Sequence, residues 1–281
     1  MMTLRIVVHD VGHGQAIHAF TPDGNVIVID LGCSADFSPL GWLKGQTKTI
    51  DSLVITHPHG DHIDEMLLLK KHGFAVRQLW RPNWLDKKTV YEQNQSTYQG
   101  KLDAYFEMSD RYNGAIAPEE LVGNPEATGG VSIRKFASRD CGQSNINNHS
   151  GVVVFTYHGI TVVIPGDNEP ASWKALLKQP DFAKVLSEMD VFMASHHGRE
   201  SGYCADIFDN KPNLCIVSDG SVKDTDAAGR YSYHAKGWSV SKRKDQTRSE
   251  RFCVTTRSDG HIELQIGRNP NGNRFLAASV A

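Results

Sequence analysis

Short apolar runs separated by polar turns dominate the first third of the chain. Residues 4–9, 16–20, 26–31 and 50–56 each have the length and composition of a β-strand. Residues 62–72 then place apolar side chains at helical spacing, so a strand, a polar loop and a helix follow one another here. In such a unit, functional groups tend to lie in the loop at the carboxyl end of the strand.

The strand pattern returns after residue 130. Further strands are predicted at 131–136, 151–157, 161–164, 191–194, 214–218, 252–256 and 261–266. We predict that the last two are joined by a turn at Ser258-Asp259-Gly260, and that a helix at 171–187 is interrupted near Pro180. Strands in both halves with helices between them predict a layered α/β sandwich. We expect a single domain over residues 1–281.

Residues 84–116 break this pattern because they are polar and rich in Gln, Asn, Lys and Tyr. We interpret them as a helical insertion within the domain. Four tyrosines recur every seven residues and would line one stripe of a helix, namely Tyr91, Tyr98, Tyr105 and Tyr112. The stripe could pack the insertion onto the body, form a dimer surface, or offer an aromatic wall that stacks on bases or sugars.

Composition narrows the class of protein. The chain has 281 residues, 40% of them hydrophobic, and its 30 basic and 32 acidic residues leave a net charge of −2. The hydrophobic content and low net charge exclude a disordered chain, and the net charge excludes an overall cationic field. No apolar run reaches the ~20 residues that cross a bilayer, and no leader pattern precedes Ile6. Five scattered cysteines favour reduced thiols, so we expect a cytoplasmic protein without membrane contact.

The strongest chemical signal is Thr56-His57-Pro58-His59-Gly60-Asp61-His62, directly after a predicted strand. His57 and His59 project to the same side of an extended segment, whereas Asp61 and His62 begin the turn toward the helix. This arrangement suits two adjacent metal ions. Imidazole and carboxylate ligands suit zinc and, with less selectivity, iron or manganese.

Other potential ligands follow apolar strands in the same way. Asp167 comes after Val162–Gly166 and could bridge two metals, or simply form a turn. In Ser195-His196-His197-Gly198, one histidine would suffice as a ligand, while the other could orient it or contact substrate. His149 is a ligand or a surface loop histidine.

This series of motifs resembles the metallo-β-lactamase fold superfamily, and more closely the soluble hydrolase domain of ComEC-type DNA-uptake proteins. The resemblance spans about residues 4–267. Besides the histidine motif, it rests on shorter motifs in the same order: Asp10-Val11-Gly12-His13-Gly14, Asp30-Leu31-Gly32, Asn147 to Ser150, Gly166-Asp167, His196-His197-Gly198, and Tyr231 to His234.

The resemblance implies a four-layer αββα sandwich with two divalent metal ions, zinc or manganese. It assigns one ion to His57, His59 and His149, and the other to Asp61, His62 and His196, with Asp167 bridging. Asp30 would hydrogen-bond the ligand loop. It makes Asp61, His197 and His234 the catalytic candidates, the two histidines contacting substrate oxygens or protonating a leaving group.

This sequence departs from the ComEC-type pattern in four places. It lacks membrane spans, it carries the long polar insertion, and Ala235 follows His234 where proline is usual. The fourth departure is His149 itself, a histidine that the ComEC-type pattern often lacks and that other superfamily members use as a ligand.

The predicted function is metal-assisted hydrolysis by a phosphodiesterase or nuclease acting on DNA. Residues 230–257 hold eight Lys/Arg against two acidic residues, so this basic segment could guide a phosphate backbone, or could be a solvated loop. Two alternatives remain open: hydrolysis of a small phosphodiester or thioester, and a metal-binding regulatory module with a protein partner.

Overall fold

Alternate side chains of the first strand point to opposite faces of its sheet. In β1 (Thr3–Val8), Leu4, Ile6 and Val8 point into a core between two sheets, whereas Arg5 and Val7 point to the other face. Residues 2–117, 120–220 and 228–281 are described by this computed structural model.

The described residues contain fifteen strands and eight α-helices. The remaining strands are β2 (Ile17–Phe20), β3 (Val26–Ile29), β4 (Thr49–Val54), β5 (Ala75–Trp80), β6 (Ser132–Phe136), β7 (Val152–Tyr157), β8 (Ile160–Pro165), β9 (Val191–Met193), β10 (Leu214–Val217), β11 (Trp238–Lys242), β12 (Arg248–Arg251), β13 (Cys253–Thr255), β14 (Ile262–Arg268) and β15 (Arg274–Val280). The helices are α1 (Pro39–Lys44), α2 (Met66–His72), α3 (Lys87–Glu92), α4 (Gln99–Arg111), α5 (Pro170–Leu176), α6 (Pro180–Ser187), α7 (Ala228–Tyr233) and α8 (Thr256–Asp259).

The strands form two sheets that face each other. The first has the order β12-β11-β15-β14-β1-β2-β3-β4-β5, and the second has the order β13-β10-β9-β8-β7-β6. Side chains from both sheets, such as Ile29 and Phe155, are buried together between them. The two inner faces therefore make the central core of a sandwich.

Helices cover the outer face of each sheet. Leu40 of α1, Met66 of α2 and Leu102 of α4 pack on the first sheet. Trp173 of α5 and Phe182 of α6 pack on the second. The four-layer αββα sandwich expected from the sequence is thus confirmed. Within the described residues, no helix combines the length and the apolar character that crossing a membrane requires.

The topology brings the motif loops to one edge. β1, β3 and β4 run parallel to one another, and so do β8, β9 and β10. The loops after β3, β4, β8, β9 and β10 contain Asp30, the histidine motif, Asp167, His196-His197 and Asp219. Functional groups from distant parts of the chain thus gather at the carboxyl ends of the strands.

Three sequence predictions need correction or refinement. Ser258-Asp259-Gly260 does join the two predicted strands, but the strands lie in different sheets, because β13 pairs with β10 in the second sheet and β14 pairs with β1 in the first. The short helix α8 makes this crossing. The insertion at 84–116 is helical, but it consists of α3, a 3-10 turn at Ser96–Tyr98 and α4. The helix predicted at 171–187 is two helices that begin at Pro170 and Pro180.

Candidate metal centre

The histidine motif is held by backbone contacts that only small neighbours permit. Gly14 and Gly32 lie so close to the carbonyl oxygen of Asp61 that a Cβ on either would come within 2.8 Å of it. The amide of Leu31 donates to the carbonyl of His62 at 2.8 Å. The loops after β1 and β3 therefore fix the path of the motif.

Asp167 lies between two pairs of histidines. Its Oδ2 is 3.7 Å from Nε2 of His57 and 3.6 Å from Nε2 of His196. Its Oδ1 is 3.2 Å from Nε2 of His62 and 3.6 Å from Nε2 of His197. The two oxygens of one buried carboxylate thus face two separate donor sets, as a bridging ligand would.

The remaining motif residues complete these two sets. Nδ1 of His59 lies 2.9 Å from Nε2 of His57. Oδ2 of Asp61 lies 3.3 Å from Nε2 of His197. The donor atoms of His57, His62 and Asp167 all lie within 4.8 Å of one another, and so do those of Asp61, His62 and His197.

The protonation states suit a cation. Burial alone would lower the pKa of His62, but the carboxylates of Asp167, Asp30 and Asp61 outweigh it and raise that pKa well above its usual value. Burial would raise the pKa of Asp167, yet the surrounding histidines hold it well below its usual range. Burial, followed by the charge of His62, lowers the pKa of His57. His57 is therefore neutral, whereas His62 carries a proton that offsets the surrounding carboxylates. A bound cation would displace that proton and take over its charge, since imidazoles bind metal in the neutral form.

Hydrogen bonds from the surroundings select the tautomers. Nδ1 of His62 lies 2.7 Å from Oδ2 of Asp30, whose other oxygen accepts from the amide of Thr56 at 2.7 Å. Nδ1 of His197 donates to the carbonyl of Ser218 at 3.1 Å. In both histidines the Nε2 lone pair is left for the centre.

The Asn147-to-Ser150 motif supports the same centre from outside. The Asn147 amide donates to Glu169 at 3.0 Å, and Glu169 lies 3.4 Å from Nδ1 of His196. The Ser150 hydroxyl accepts from the amide of Asp167 at 3.1 Å. The motif therefore positions one histidine and the central carboxylate.

The hydrogen bonding of the donor atoms gives a second reason, independent of the motifs, to place a metal here. Oδ1 of Asp167 is buried and has no hydrogen-bond partner among the described residues. The facing Nε2 atoms of His62 and His197 are only 3.3 Å apart. Converging lone pairs of nitrogen and oxygen are the ligand chemistry of zinc and similar divalent ions.

The structure does not bring His149, a predicted ligand, into this group. Its Nδ1 accepts a hydrogen bond from the indole of Trp84 at 2.9 Å, so the proton sits on Nε2, which contacts the carbonyl of Gly142 at 2.7 Å. Neither nitrogen keeps a lone pair for a metal. The histidine instead ties the insertion to the loop before β7.

His234 and His197 also differ from the roles expected of them. His234 accepts from the hydroxyl of Tyr203 at 2.6 Å and stacks on Phe208 at 4.3 Å, so it packs on the second sheet's outer layer rather than among the ligand candidates. His197 is buried within the donor set instead of standing beside it. It is therefore a candidate ligand by its position, and its predicted role as a catalytic contact stays a prediction.

Two residues that the sequence did not single out lie at the rim of the centre. Nε2 of His13 is 3.2 Å from Oδ2 of Asp61. The guanidinium of Arg199 lies 3.3 Å from Nε2 of His13 and 3.5 Å from Nε2 of His196. The only signals were their positions, His13 inside the first glycine turn and Arg199 directly after Gly198.

The basic segment 230–257 carries the β11–β12 hairpin at the edge of the first sheet. Because β11 runs parallel to β15, and β15 parallel to β1, the turn with Lys242, Arg243 and Lys244 lies at the same end of the sheet as the centre. At ~4.8 Å per strand, β11 is about 14 Å from β1. Three of the arginines are paired with carboxylates: Arg230 with Glu200, Arg251 with Asp259, and Arg257 with Asp219.

Comparisons with known proteins agree with the fold. The sequence profile of the Metallo-beta-lactamase superfamily matches residues 13–138, just under half of the chain. A metal-dependent hydrolase of Bacillus mycoides (strain KBAB4) is 31% identical over 64 residues, which are 23% of this chain and span only 27% of that relative.

Two solved structures are also similar. One is assigned as a metal-dependent hydrolase from Parabacteroides distasonis, at 13% identity and a TM-score of 0.42, covering 80% of this chain and 88% of that one. The other is assigned as a zinc-dependent hydrolase of the metallo-β-lactamase superfamily from Thermotoga maritima, at 14% identity and a TM-score of 0.38, covering 89% and 97%. From the profile match and the two facing sheets with their helical layers, we conclude that this chain has the fold of the metallo-β-lactamase superfamily.

Proposed function

We propose that this chain is a metal-dependent hydrolase that cleaves phosphodiester bonds, with DNA as its substrate. The observation that carries the proposal is the position of Asp167, whose two oxygens face separate histidine pairs in buried loops. The name of the Bacillus mycoides relative, a metal-dependent hydrolase, agrees with this reaction class.

We propose two divalent ions, zinc or manganese, with Asp167 as their shared ligand. His57, His59 and His196 would hold one ion, and Asp61, His62 and His197 would hold the other. Such a pair of cations lowers the pKa of a water molecule and neutralises charge on a phosphoryl oxygen. His196 here takes the position that the resemblance gives to His149.

The protein's own contribution is to hold these ligands in one orientation. The Asp30 carboxylate, the Glu169 carboxylate and the Ser218 carbonyl each face the Nδ1 of a ligand histidine. This keeps the Nε2 atoms of these three histidines directed inward before the substrate arrives, which reduces the reorganisation needed during the reaction.

Arg199 is the group that favours an anionic substrate. Its guanidinium lies at the rim, between His13 and His196, and its side chain is only partly buried. A planar guanidinium can bind two oxygens of a phosphate at once. We therefore assign Arg199 to a non-bridging phosphoryl oxygen.

The choice of DNA rests on the basic hairpin turn and on the resemblance to DNA-uptake hydrolase domains. A polynucleotide in the centre could extend across the sheet edge to Lys242, Arg243 and Lys244, which are exposed. Replacing all three by alanine should weaken DNA binding and reduce its salt dependence. If the variant binds DNA as tightly as wild type at every salt concentration, DNA does not contact this turn.

A small phosphodiester is the second candidate. It is favoured by the ion pairs of Arg230, Arg251 and Arg257, which reduce the field that the basic segment offers to a polymer. Size dependence separates the two, since a nuclease should prefer long polymers to model esters.

In the experiment, metal-loaded wild type and Asp61→Asn are each incubated with linear and circular DNA, both single- and double-stranded. We expect cleavage that requires zinc or manganese and is lost in Asp61→Asn. Circular DNA reports whether the enzyme needs ends. Cleavage of model esters alone would transfer the assignment to a small substrate, and no hydrolysis of either by protein that carries its metals would refute a phosphodiesterase.

A further inference from the structure

One tyrosine of the insertion lies directly on the histidine motif. A Cβ added to Gly60 would lie 2.3 Å from both Cε1 and Cζ of Tyr98 and 2.5 Å from its Cδ1. Such similar distances to three ring atoms place the Gly60 Cα under the face of the ring. Since Gly60 stands between His59 and Asp61, the tyrosine borders the candidate ligands themselves.

The ring is held in this position from a second side. Nζ of Lys101 lies 4.7 Å from the Tyr98 ring centroid and 2.6 Å from Oδ1 of Asp64, two residues after His62. The amide of Asn94 donates to the carbonyl of Pro58 at 3.0 Å. The insertion is thus fastened to the motif on both sides of Tyr98, so its ring is not free to swing away.

The phenol hydroxyl of Tyr98 has no hydrogen-bond partner among the described residues, and the side chain is half-buried. The other tyrosines of the stripe are used differently. Tyr91 donates to Asp103, Tyr112 donates to the carbonyl of Val76, and Tyr105 is 2% exposed in the core. Tyr98 is therefore the member of the stripe whose hydroxyl is available to bind a ligand.

We propose that Tyr98 binds the substrate, its hydroxyl donating a hydrogen bond to a phosphate oxygen next to the scissile bond. The face of the ring is covered by Gly60, so the hydroxyl edge and not the ring face is the part offered to substrate. The insertion then acts as one wall of the substrate cleft. This inference rests on the proposed phosphodiesterase function and names a residue that sets its substrate binding.

The test compares metal-loaded wild type, Tyr98→Phe and Tyr91→Phe. Each substitution removes one hydroxyl, but Tyr98→Phe keeps the ring on Gly60, and Tyr91→Phe is the matched control within the same insertion. Three quantities are measured: the KM and the kcat for thymidylyl-thymidine, and the Kd of its phosphorothioate analogue. Bound metal and Tm are recorded for each variant.

We expect Tyr98→Phe to raise both KM and Kd about tenfold, the effect of one hydrogen bond to a charged group, with kcat, metal content and Tm unchanged. Tyr91→Phe should match the wild type. If wild type binds and cleaves but Tyr98→Phe is equal to it, the role of Tyr98 is refuted while the function stands. If metal-loaded wild type cleaves neither this dinucleotide nor DNA, the proposed function is refuted and this inference falls with it.

Discussion

Nδ1 of His62 lies 2.7 Å from Oδ2 of Asp30, and both side chains are completely buried. The aspartate also accepts from the hydroxyl of Thr56 at 2.6 Å and from the amide of Gln15 at 3.1 Å. Its backbone has a left-handed φ of 58°, a costly conformation for a residue other than glycine. Asp30 is thus fixed where it can orient His62.

Replacing this carboxylate should weaken metal binding without removing a ligand. In Asp30→Asn an amide can donate where the carboxylate accepted, so Nδ1 of His62 loses its acceptor. We expect metal affinity to fall 10- to 100-fold, as for other partners of ligating histidines, measured by competition with a chelating dye.

Asp51→Asn is the matched control, because Asp51 is also a buried carboxylate but accepts hydrogen bonds from the amide of Val26 and the side chain of Arg77. It should lower stability and leave metal affinity unchanged. Equal metal affinity in Asp30→Asn and wild type would contradict the positioning role of Asp30.

The proposed ligand set predicts which histidine substitutions cost the protein a bound metal ion. His196→Gln and His197→Gln should each lose about one of two bound ions, because their Nε2 atoms face Asp167. His149→Gln should keep both ions and lose only the contacts to Trp84 and Gly142. Metal per folded chain, measured by mass spectrometry of dialysed protein, decides this. Loss of an ion in His149→Gln would restore its predicted role as a ligand.

The contact between Gly60 and Tyr98 predicts a strong dependence of one substitution on the other. Gly60→Ala would drive a methyl group into the ring, at a cost of about 1–3 kcal/mol in the free energy of unfolding. In a Tyr98→Ala background the same substitution should cost much less. Urea unfolding of the four proteins in this double-mutant cycle gives the coupling. Additive effects would show that the two residues do not touch.

A pair of buried histidines outside the centre predicts the acid sensitivity of the fold. His9 and His18 lie on the outer face of the first sheet, with Nε2 of His9 3.0 Å from Nδ1 of His18. Burial is the main cause that lowers the pKa of His9 to about 2 and that of His18 to about 3. Both are therefore neutral in the folded protein.

The unfolded chain takes up these protons below pH 6.5, so the stability contributed by neutral histidines is lost as pH falls from about 7 toward 3. From pH 7 to pH 5 each histidine should remove about 2 kcal/mol from the free energy of unfolding. The double variant His9→Phe/His18→Phe should have a flatter profile than wild type, while replacing His72, which is only partly buried, by Gln should change the profile much less. Parallel profiles of wild type and double variant would contradict this account.

The sequence predicted those parts of the site that are local in the chain. The ligands from His57 to His62 lie within six residues after an apolar strand, so their clustering was visible without a structure. His13, Glu169 and Arg199 could not be found in this way, because only the packing of separate loops brings them to the centre. The choice between His196 and His197 depends on their left-handed backbone, with φ of 51° and 53°, which turns both side chains toward Asp167.

Three of the four strands that the sequence missed share a physical reason. β5, β11 and β12 lie at or near the edges of the first sheet and carry polar or charged side chains on their exposed faces. Edge strands need few apolar residues, so hydrophobic alternation is weak in them. β15 was missed as well, although Ala278 and Val280 are buried in the central core.

The central claim is that the donor set around Asp167 holds the metal on which hydrolysis depends. The most direct test titrates zinc or manganese into chelator-treated wild type and Asp167→Asn, following bound metal and the rate of phosphodiester hydrolysis together. We predict that wild type gains activity in step with two bound ions per chain, and that Asp167→Asn loses metal affinity and activity together. Hydrolysis that survives in Asp167→Asn, or that proceeds in wild type without bound metal, would contradict the account.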